Sequence, residues 1–496
     1  MSRYVLAIDQ GTTSTRALIV DESGAVLATA QYPISLTYPA PGWVNQDAAE
    51  IWELTRRSCL EAIGAAGLTP SQIEAIGITN QRETTVLWDR RTLEPLAPAI
   101  VWQSRQSAPI VADLIQRGMS DRYTQITGLV PDAYFSATKL RWLFDHHPEL
   151  RARAEAGELC AGTIDSWLTC KLTNGTRHIT DRSNASRTML YDIRELEWSQ
   201  ALLDDLAIPS GILPDVVENS GALAVTGTSV LGAEIPICGL AGDQHAALFG
   251  QACFAPGMAK NTYGTGSFLL MQTGSTPAIS RNKLLTTIAW SIDGEVSYAL
   301  EGAIFVTGAA IGWLRDGLGL FERASDVESL AATVASTEGV AFVPALTGLG
   351  APHWDPDARG TILGLTRGTT RAHIARAALE AIAFQVRDVV DAMCSDSAVS
   401  LSELRVDGGA AGNDLLMQLQ ADLLGVPIIR PTQLESTAMG AAFLAGLGAG
   451  IWKSTADIEH TWHIDKRFEP RIGQDERDAR YAVWKRAVER SRGWAE

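Results

Sequence analysis

The sequence predicts an α/β protein built as two lobes with a cleft between them, and three observations carry that prediction. Strand-like and helix-like segments alternate along the chain. A strand, a small polar turn and a second strand open it, and a similar unit recurs about midway. At 496 residues the chain exceeds what one compact core usually organises.

The elements follow in order. Residues 5–9 form an apolar run that ends in the carboxylate of Asp9, the turn Gly11-Thr12-Thr13-Ser14 follows, and residues 17–20 form a second apolar run. A third strand over 26–31 follows Glu22-Ser23-Gly24. An antiparallel meander at this position departs from dinucleotide folds, which open with a strand, a glycine turn and a helix. Residues 47–66 and 107–116 read as helices, and 73–79 and 85–88 as strands. The second unit is Lys260-Asn261-Thr262-Tyr263-Gly264-Thr265-Gly266-Ser267-Phe268-Leu269-Leu270. Ile374, Ala377, Ala378, Ala381, Ile382, Val386 and Val389 keep helical spacing and mark a buried helix. The uncharged Gly/Ala-rich stretch 437–452 is shorter than the roughly 18 to 20 apolar residues that span a bilayer, so it reads as another buried helix. The boundary is placed near 250, giving lobes 1–250 and 251–496. No Pro/Ser linker marks it, so the lobes are expected to be closely packed and hinged.

Composition narrows the function. Hydrophobic residues make up 46% and charged residues 20%, which supports a folded globular chain. Lys and Arg number 41 against 57 Asp and Glu, a net charge of −16 that argues against binding a nucleic-acid backbone. A single nucleotide held locally is still compatible. The start lacks the apolar core of a signal peptide, no membrane span is expected, and six cysteines without CxxC spacing suggest reduced thiols in a cytoplasmic setting.

Two segments suit parts of a nucleotide, the first its phosphates and the second its base or ribose. In Asp9-Gln10-Gly11-Thr12-Thr13-Ser14-Thr15-Arg16 a glycine turn exposes amides, the hydroxyls add donors and Arg16 adds charge; Asp9 is placed to hold Mg²⁺ directly or through water. The competing reading is an ordinary hairpin. Leu404 to Asn413 is a strand running into a glycine-rich turn and a helix near Asp414, where small residues let a base or ribose approach the backbone. Taken singly, it is equally a plain strand-to-helix turn. No GxxxxGK[ST], GxSxG or HExxH is present, and His460 and His463 read as surface residues.

Two longer stretches resemble the signatures of the FGGY carbohydrate kinases, within the actin, hexokinase and sugar kinase superfamily. One runs from Tyr134 through Lys139 and Trp142 to His146; the other runs from Gly360 through Gly364 and His373 to Glu380. The resemblance implies two actin-like/ribonuclease H-like lobes with a nucleotide cleft between them. Within the family, Gly77 to Thr85, Ile100 to Gln103, Ala241 to Gln244 and Leu346 to Pro352 are similar to the members that phosphorylate glycerol, and the Arg82-Glu83 segment differs from that of ketose and gluconate kinases.

That likeness implies ATP and Mg²⁺ as cofactors, glycerol as substrate and sn-glycerol 3-phosphate as product, feeding glycerol catabolism and glycerolipid synthesis, in a homodimer or homotetramer. Asp243 is implied as the catalytic base. Arg82, Glu83, Tyr134, Asp243 and Gln244 would form a polar cage for a triol, with Trp102 and Phe268 over its carbon face. Thr12, Thr13, Ser14, Arg16, Thr265, Gly308, Gly312, Gly409 and Asn413 would contact the nucleotide, and Asp9 and Asp243 the metal. Two positions depart from the family pattern: His245 and Gly312 each stand where a glutamine is usual. The competing readings are a kinase for another short polyol or triose, and a non-catalytic sensor that binds ATP and sugar. Retention of Asp9, Asp243 and both turns weighs against the sensor.

Overall fold

Two mixed sheets organise the computed structural model, which describes residues 2–495. The first is built from β1 (Tyr4–Gln10), β2 (Ser14–Asp21), β3 (Val26–Pro33), β4 (Ile73–Asn80), β5 (Ser220–Val225) and β6 (Pro236–Gly242), in the spatial order β5-β6-β4-β1-β2-β3. β1, β2 and β3 form the expected antiparallel meander, and β4 lies parallel to β1 on its other side. Both faces of this sheet are covered, which explains why β1 reads as a continuous apolar run instead of an alternating one. Leu6 and Ile8 pack against Ile51, Cys59 and Ala62 of α1 (Ala48–Ala65), whereas Val5 and Ala7 belong to a core with Ala438, Ala442 and Phe443. α1 starts where predicted because the Asp47 carboxylate accepts the Ala49 amide at 2.8 Å as its N-cap. α2 (Ser136–His146) carries the first family signature, and α3 (Asp243–Gly250) starts directly at the end of β6.

The second sheet has the order β9-β10-β8-β7-β11-β12-β13, with β7 (Met258–Tyr263), β8 (Ser267–Gly274), β9 (Leu285–Ile292), β10 (Glu295–Ile304), β11 (Glu403–Asp407), β12 (Ile428–Pro431) and β13 (Ile464–Phe468). β7 repeats the surroundings of β1: an antiparallel hairpin partner on one side, β8, and a parallel strand on the other, β11. This repeated order gives the two actin-like/ribonuclease H-like lobes. The helices that position the site in this half are α4 (Gly308–Asp316), α5 (Arg371–Ser397), α6 (Asp414–Leu424) and α7 (Ser436–Gly448). α5 contains the predicted helical stretch and buries Ala377, Ala378, Ala381, Ile382, Val386 and Val389.

α7 is the buried helix expected over 437–452, and it packs on the first sheet although it comes from the second half of the chain. Glycines permit the approach. A Cβ on Gly77 of β4 would lie 2.0 Å from the Ala441 carbonyl oxygen, and one on Gly440 would lie 1.8 Å from that of Ala246 in α3. A division of the chain at 250 therefore separates the sheets but not all of their helices. All six cysteines are unpaired, His460 and His463 are exposed, and among the described residues no helix is long and apolar enough to cross a membrane.

Candidate active site

The turn after β1 and the turn after β7 each leave two backbone amides free: among the described residues, Thr12, Thr13, Thr265 and Gly266 donate their N–H to no protein group. Free amides in a tight turn form a concavity suited to an anion. The carbonyls of the first turn are tied back. Gln10 Nε2 donates to Gly11 O at 2.6 Å, Gln46 Nε2 to Thr12 O at 2.6 Å and Gln81 Nε2 to Gly11 O at 3.2 Å. In the second turn the amides of Thr307, Gly308 and Ala309, where α4 begins, donate to the Gly264 and Thr265 carbonyls at 3.0 Å. Gly308 must be small there, since a Cβ would lie 2.6 Å from Gly264 O; around Gly312, one turn on, the space is open.

The residues expected to hold a polyol converge at the ends of β4 and β6. Arg82 and Glu83 are buried in the loop after β4, and Glu83 has φ of 60°, in the left-handed region. Its carbonyl is held by Thr85 Oγ1 at 3.0 Å and by Ser136 Oγ and Lys139 Nζ at 3.1 Å. Lys139 also donates to the Tyr134 carbonyl, so one buried ammonium fixes the backbone of two predicted cage residues. Burial pushes that ammonium down to about 7.

Asp243 is the first residue of α3, where the helix N-terminus favours an anion. Its Oδ1 accepts the Gln244 amide at 2.6 Å and faces Arg82 Nε at 3.0 Å. Its side chain is 29% exposed, against 1% for Glu83 and for Glu301, so of these three carboxylates Asp243 is the one that solvent reaches. Removal from water raises its carboxyl above the ordinary range, and Arg82 partly offsets that. A raised carboxyl within reach of a hydroxyl is what a general base needs. Trp102 stands edge-on to Tyr134 with centroids 5.6 Å apart, and its indole N–H donates to Thr12 Oγ1 at 2.9 Å, linking the cage wall to the first turn. Phe268 pairs with Thr262 across the β7–β8 ladder, which puts it on the sheet face that carries Lys260.

That sheet face supplies the residues the sequence reading did not single out. Glu301 of β10 accepts Arg82 Nη1 at 2.5 Å and Nη2 at 3.0 Å, and Arg187 joins Glu83 Oε1 at 2.6 Å to Glu301 Oε1 at 3.1 Å. Burial pushes the Glu301 carboxyl up, but Arg187 and Arg82 more than offset it and hold the group below the usual carboxylate range. Lys260 Nζ donates to Gln244 Oε1 and, at 2.9 Å, to Thr262 Oγ1, and burial lowers it to about 8. A signal was present: Glu301 and Lys260 lie in strands whose neighbouring residues are buried, where a charged side chain has to be paired. His245 is buried with Nε2 at 2.9 Å from Thr287 Oγ1, and burial holds it well below the usual imidazole range.

Other expected residues have more than one task. Arg16 is ion-paired with Asp9 and with Glu435. The Asn413 side chain caps α6, accepting the Leu416 amide at 2.8 Å. Gly408, with φ of 84°, lets the chain pass Tyr263, whose carbonyl oxygen would lie 2.4 Å from a Cβ there, and Gly409 beyond it is open. One oxygen of the buried Asp9 carboxylate is engaged by Arg16, and the other accepts no hydrogen bond among the described residues. No group of three or more His, Cys, Asp and Glu side chains gathers there to hold a metal alone. That donor set fits Mg²⁺, which keeps waters and shares phosphate oxygens with one or two carboxylates.

The sequence matches the FGGY family of carbohydrate kinases in two parts, its N-terminal domain over residues 4–250 and its C-terminal domain over 259–449. The chain belongs to the FGGY family of carbohydrate kinases. A glycerol kinase of Aromatoleum aromaticum is 59% identical over 491 residues, 99% of each chain. The solved structure of Plasmodium falciparum glycerol kinase with ADP superposes with a TM-score of 0.94 at 36% identity, covering 99% of this chain and 98% of that one. A ligand-bound xylulose kinase from Lactobacillus acidophilus, at TM-score 0.88 and 24% identity over 98% of this chain and 97% of that one, shares the FGGY fold.

Proposed function

We propose that this FGGY kinase transfers the γ-phosphoryl group of ATP to a terminal hydroxyl of glycerol, giving sn-glycerol 3-phosphate and ADP. The observation that carries the reading is the cage of buried Arg82 and Glu83 closed by the more open Asp243, beside two turns with free amides. The likeness to glycerol kinases across the whole chain supports it.

The hydroxyl oxygen attacks the γ-phosphorus as the bond to the β-γ bridging oxygen breaks, and ADP leaves with the bonding pair. Asp243 orients the hydroxyl and accepts its proton late in the transfer. Arg82 donates to substrate oxygens, Glu83, Tyr134 and Gln244 complete the polar contacts, and Trp102 and Phe268 cover the carbon backbone. Thr12, Thr13, Ser14 and Arg16 hold phosphates from one lobe and Thr265 from the other. Gly308, Gly312, Gly409 and Asn413 line the nucleoside side, where glycines leave room. Asp9 and Asp243 would hold Mg²⁺, which would supply charge neutralisation for the phosphate oxygens. A homodimer or homotetramer in the cytoplasm, supplying glycerol catabolism and glycerolipid synthesis, belongs to the same reading.

The test is ADP release coupled to a panel of three- to five-carbon polyols and trioses. Glycerol is expected to give the highest kcat/KM, and a stereospecific sn-glycerol-3-phosphate assay should account for all ADP formed. Faster turnover of erythritol or dihydroxyacetone would reassign the substrate; ADP release independent of any polyol would remove the kinase reading.

A further inference from the structure

We propose that Glu301 is a positioning residue for substrate recognition: from the second lobe it fixes the Arg82 guanidinium, so the polyol cage of the first lobe is completed by the other half of the chain. This rests on the glycerol-kinase reading above.

The geometry is a buried ring of alternating charge. Arg82, Glu301, Arg187 and Glu83 contact one another in that order, all are buried, and Arg82 Nε lies 3.9 Å from Glu83 Oε1 to close the ring. Two cations face two anions, which is how buried charges are tolerated. Arg82, Glu83 and Arg187 come from the first lobe; Glu301 comes from β10 of the second. Its carboxylate meets both terminal nitrogens of Arg82, a two-point contact that fixes the plane of a guanidinium as one bond cannot. With that plane set, Arg82 Nε faces Asp243 Oδ1 at 3.0 Å, and one N–H on each terminal nitrogen is left for substrate oxygens. Without Glu301 the two buried arginines would share Glu83 and Asp243, and Arg82 would be drawn from the substrate towards the base. Glu301 reaches the substrate only through Arg82, so it acts by placement.

The experiment is a double-mutant cycle on the full-length enzyme, with kcat and both KM values measured by ADP release for wild type, Arg82→Ala, Glu301→Gln and the double variant. Glu301→Gln is expected to raise the glycerol KM at least about tenfold and leave the ATP KM within about twofold, and to add less than about twofold once Arg82 is already alanine. An equal penalty in the Arg82→Ala background, or parallel rises in both KM values, overturns the proposal, because a merely structural carboxylate acts without Arg82. Glu301→Asp keeps the charge with a shorter reach and is expected to give an intermediate glycerol KM. If neither Glu301 variant yields folded enzyme while Arg82→Ala does, the role is structural and the proposal fails. Wild-type turnover tests the substrate reading separately: should another polyol prove to be the substrate, the same cycle run on it decides the role of Glu301.

Discussion

The turn after β1 and the turn after β7 do the same backbone work in different company. Each follows the first strand of its sheet and leaves two amides free. The first is surrounded by side chains: three glutamines hold its carbonyls, Trp102 holds its threonine and Asp9 stands beside it. The second is held by backbone, through the amides that begin α4. Its acid has also moved. Asp9 sits on β1 opposite Thr79, whereas the equivalent rung of the second sheet pairs Thr262 of β7 with Asp407 of the adjacent strand, and Asp407 accepts from Ser436 and Gln251 through Oδ2 while its buried Oδ1 has no partner among the described residues. Both turns thus leave amides free, and among the described residues only the first is also tied by a hydrogen bond to Trp102, one of the residues proposed to cover the polyol. The lobes should therefore respond differently to equivalent damage.

The largest effect belongs to the first lobe. Asp243→Asn should lower kcat by about 10² to 10⁴ while glycerol still binds, since the amide keeps the shape and cannot take the proton. Because the Asp243 carboxyl is raised, wild-type kcat/KM should fall with decreasing pH at a midpoint above the ordinary carboxylate range. The base works deprotonated, so activity is present above that midpoint and lost below it. A pH profile of wild type beside the residual activity of Asp243→Asn checks this, and retention of more than about a tenth of kcat would remove Asp243 from the base role.

Next comes Arg82→Ala, which should raise the glycerol KM about a hundredfold and the ATP KM little, because a buried charged donor is lost from one substrate alone. Steady-state kinetics with each substrate varied in turn separates the two. Equal rises would place Arg82 in general stability or in nucleotide binding, and the contrast between the lobes would lose its chemical side.

What the sequence made legible was local. The β1–β2 hairpin, α1 with its Asp47 cap, and the periodic stretch inside α5 each depend on residues close together in the chain, and each appears close to its predicted place. Arg82, Glu83 and Asp243 were found through family motifs, which carry long-range information in short strings. Glu301 was not, because its partner Arg82 is 219 residues away and no local pattern joins them. Arg187 escaped for the same reason, its partners Glu83 and Glu301 lying 104 and 114 residues away; Lys139 stood inside the first signature, but its bond to the Glu83 carbonyl, 56 residues away, was not legible there. His245 stood out only as a departure from the family pattern; it lies against Thr287, on the seam between the sheets where only tertiary contact could reveal its neighbour.

A sharper test of the backbone-held turn uses two glycines of one helix. Gly308→Ala forces a Cβ to within 2.6 Å of the Gly264 carbonyl, so the second turn must shift; overpacking of this kind costs about 1 to 3 kcal/mol, and the ATP KM should rise about tenfold with the glycerol KM nearly unchanged. Gly312→Ala, one turn along, meets no protein atom within 4 Å, so it should leave the second turn in place, keep the glycerol KM within about twofold and add roughly 0.5 to 1 kcal/mol of thermal stability through helix propensity, and any rise in its ATP KM reports the added methyl against the nucleotide. Loss of glycerol affinity in Gly308→Ala would mean that the second turn is wired to the polyol cage after all.

The smallest effect separates the turns most directly. Thr12 and Thr265 occupy corresponding places after Gly11 and Gly264, and each offers a hydroxyl beside the free amides. In Thr265→Ala only a nucleotide contact is lost, so the ATP KM should rise about three- to tenfold, the worth of one hydrogen bond of roughly 0.5 to 1.5 kcal/mol. Thr12→Ala removes the same kind of contact and also the acceptor of the Trp102 indole N–H. The indole then loses the bond that ties the cage wall to the turn, and Tyr134, in edge contact with it, loses that support as well. Both KM values should therefore rise in Thr12→Ala, by about three- to tenfold each, with kcat changed little. Measuring both constants for both variants settles the matter: if Thr12→Ala moves the ATP KM alone, the two turns are functionally equivalent and the asymmetry between the lobes lies in Asp9 and Asp243 only.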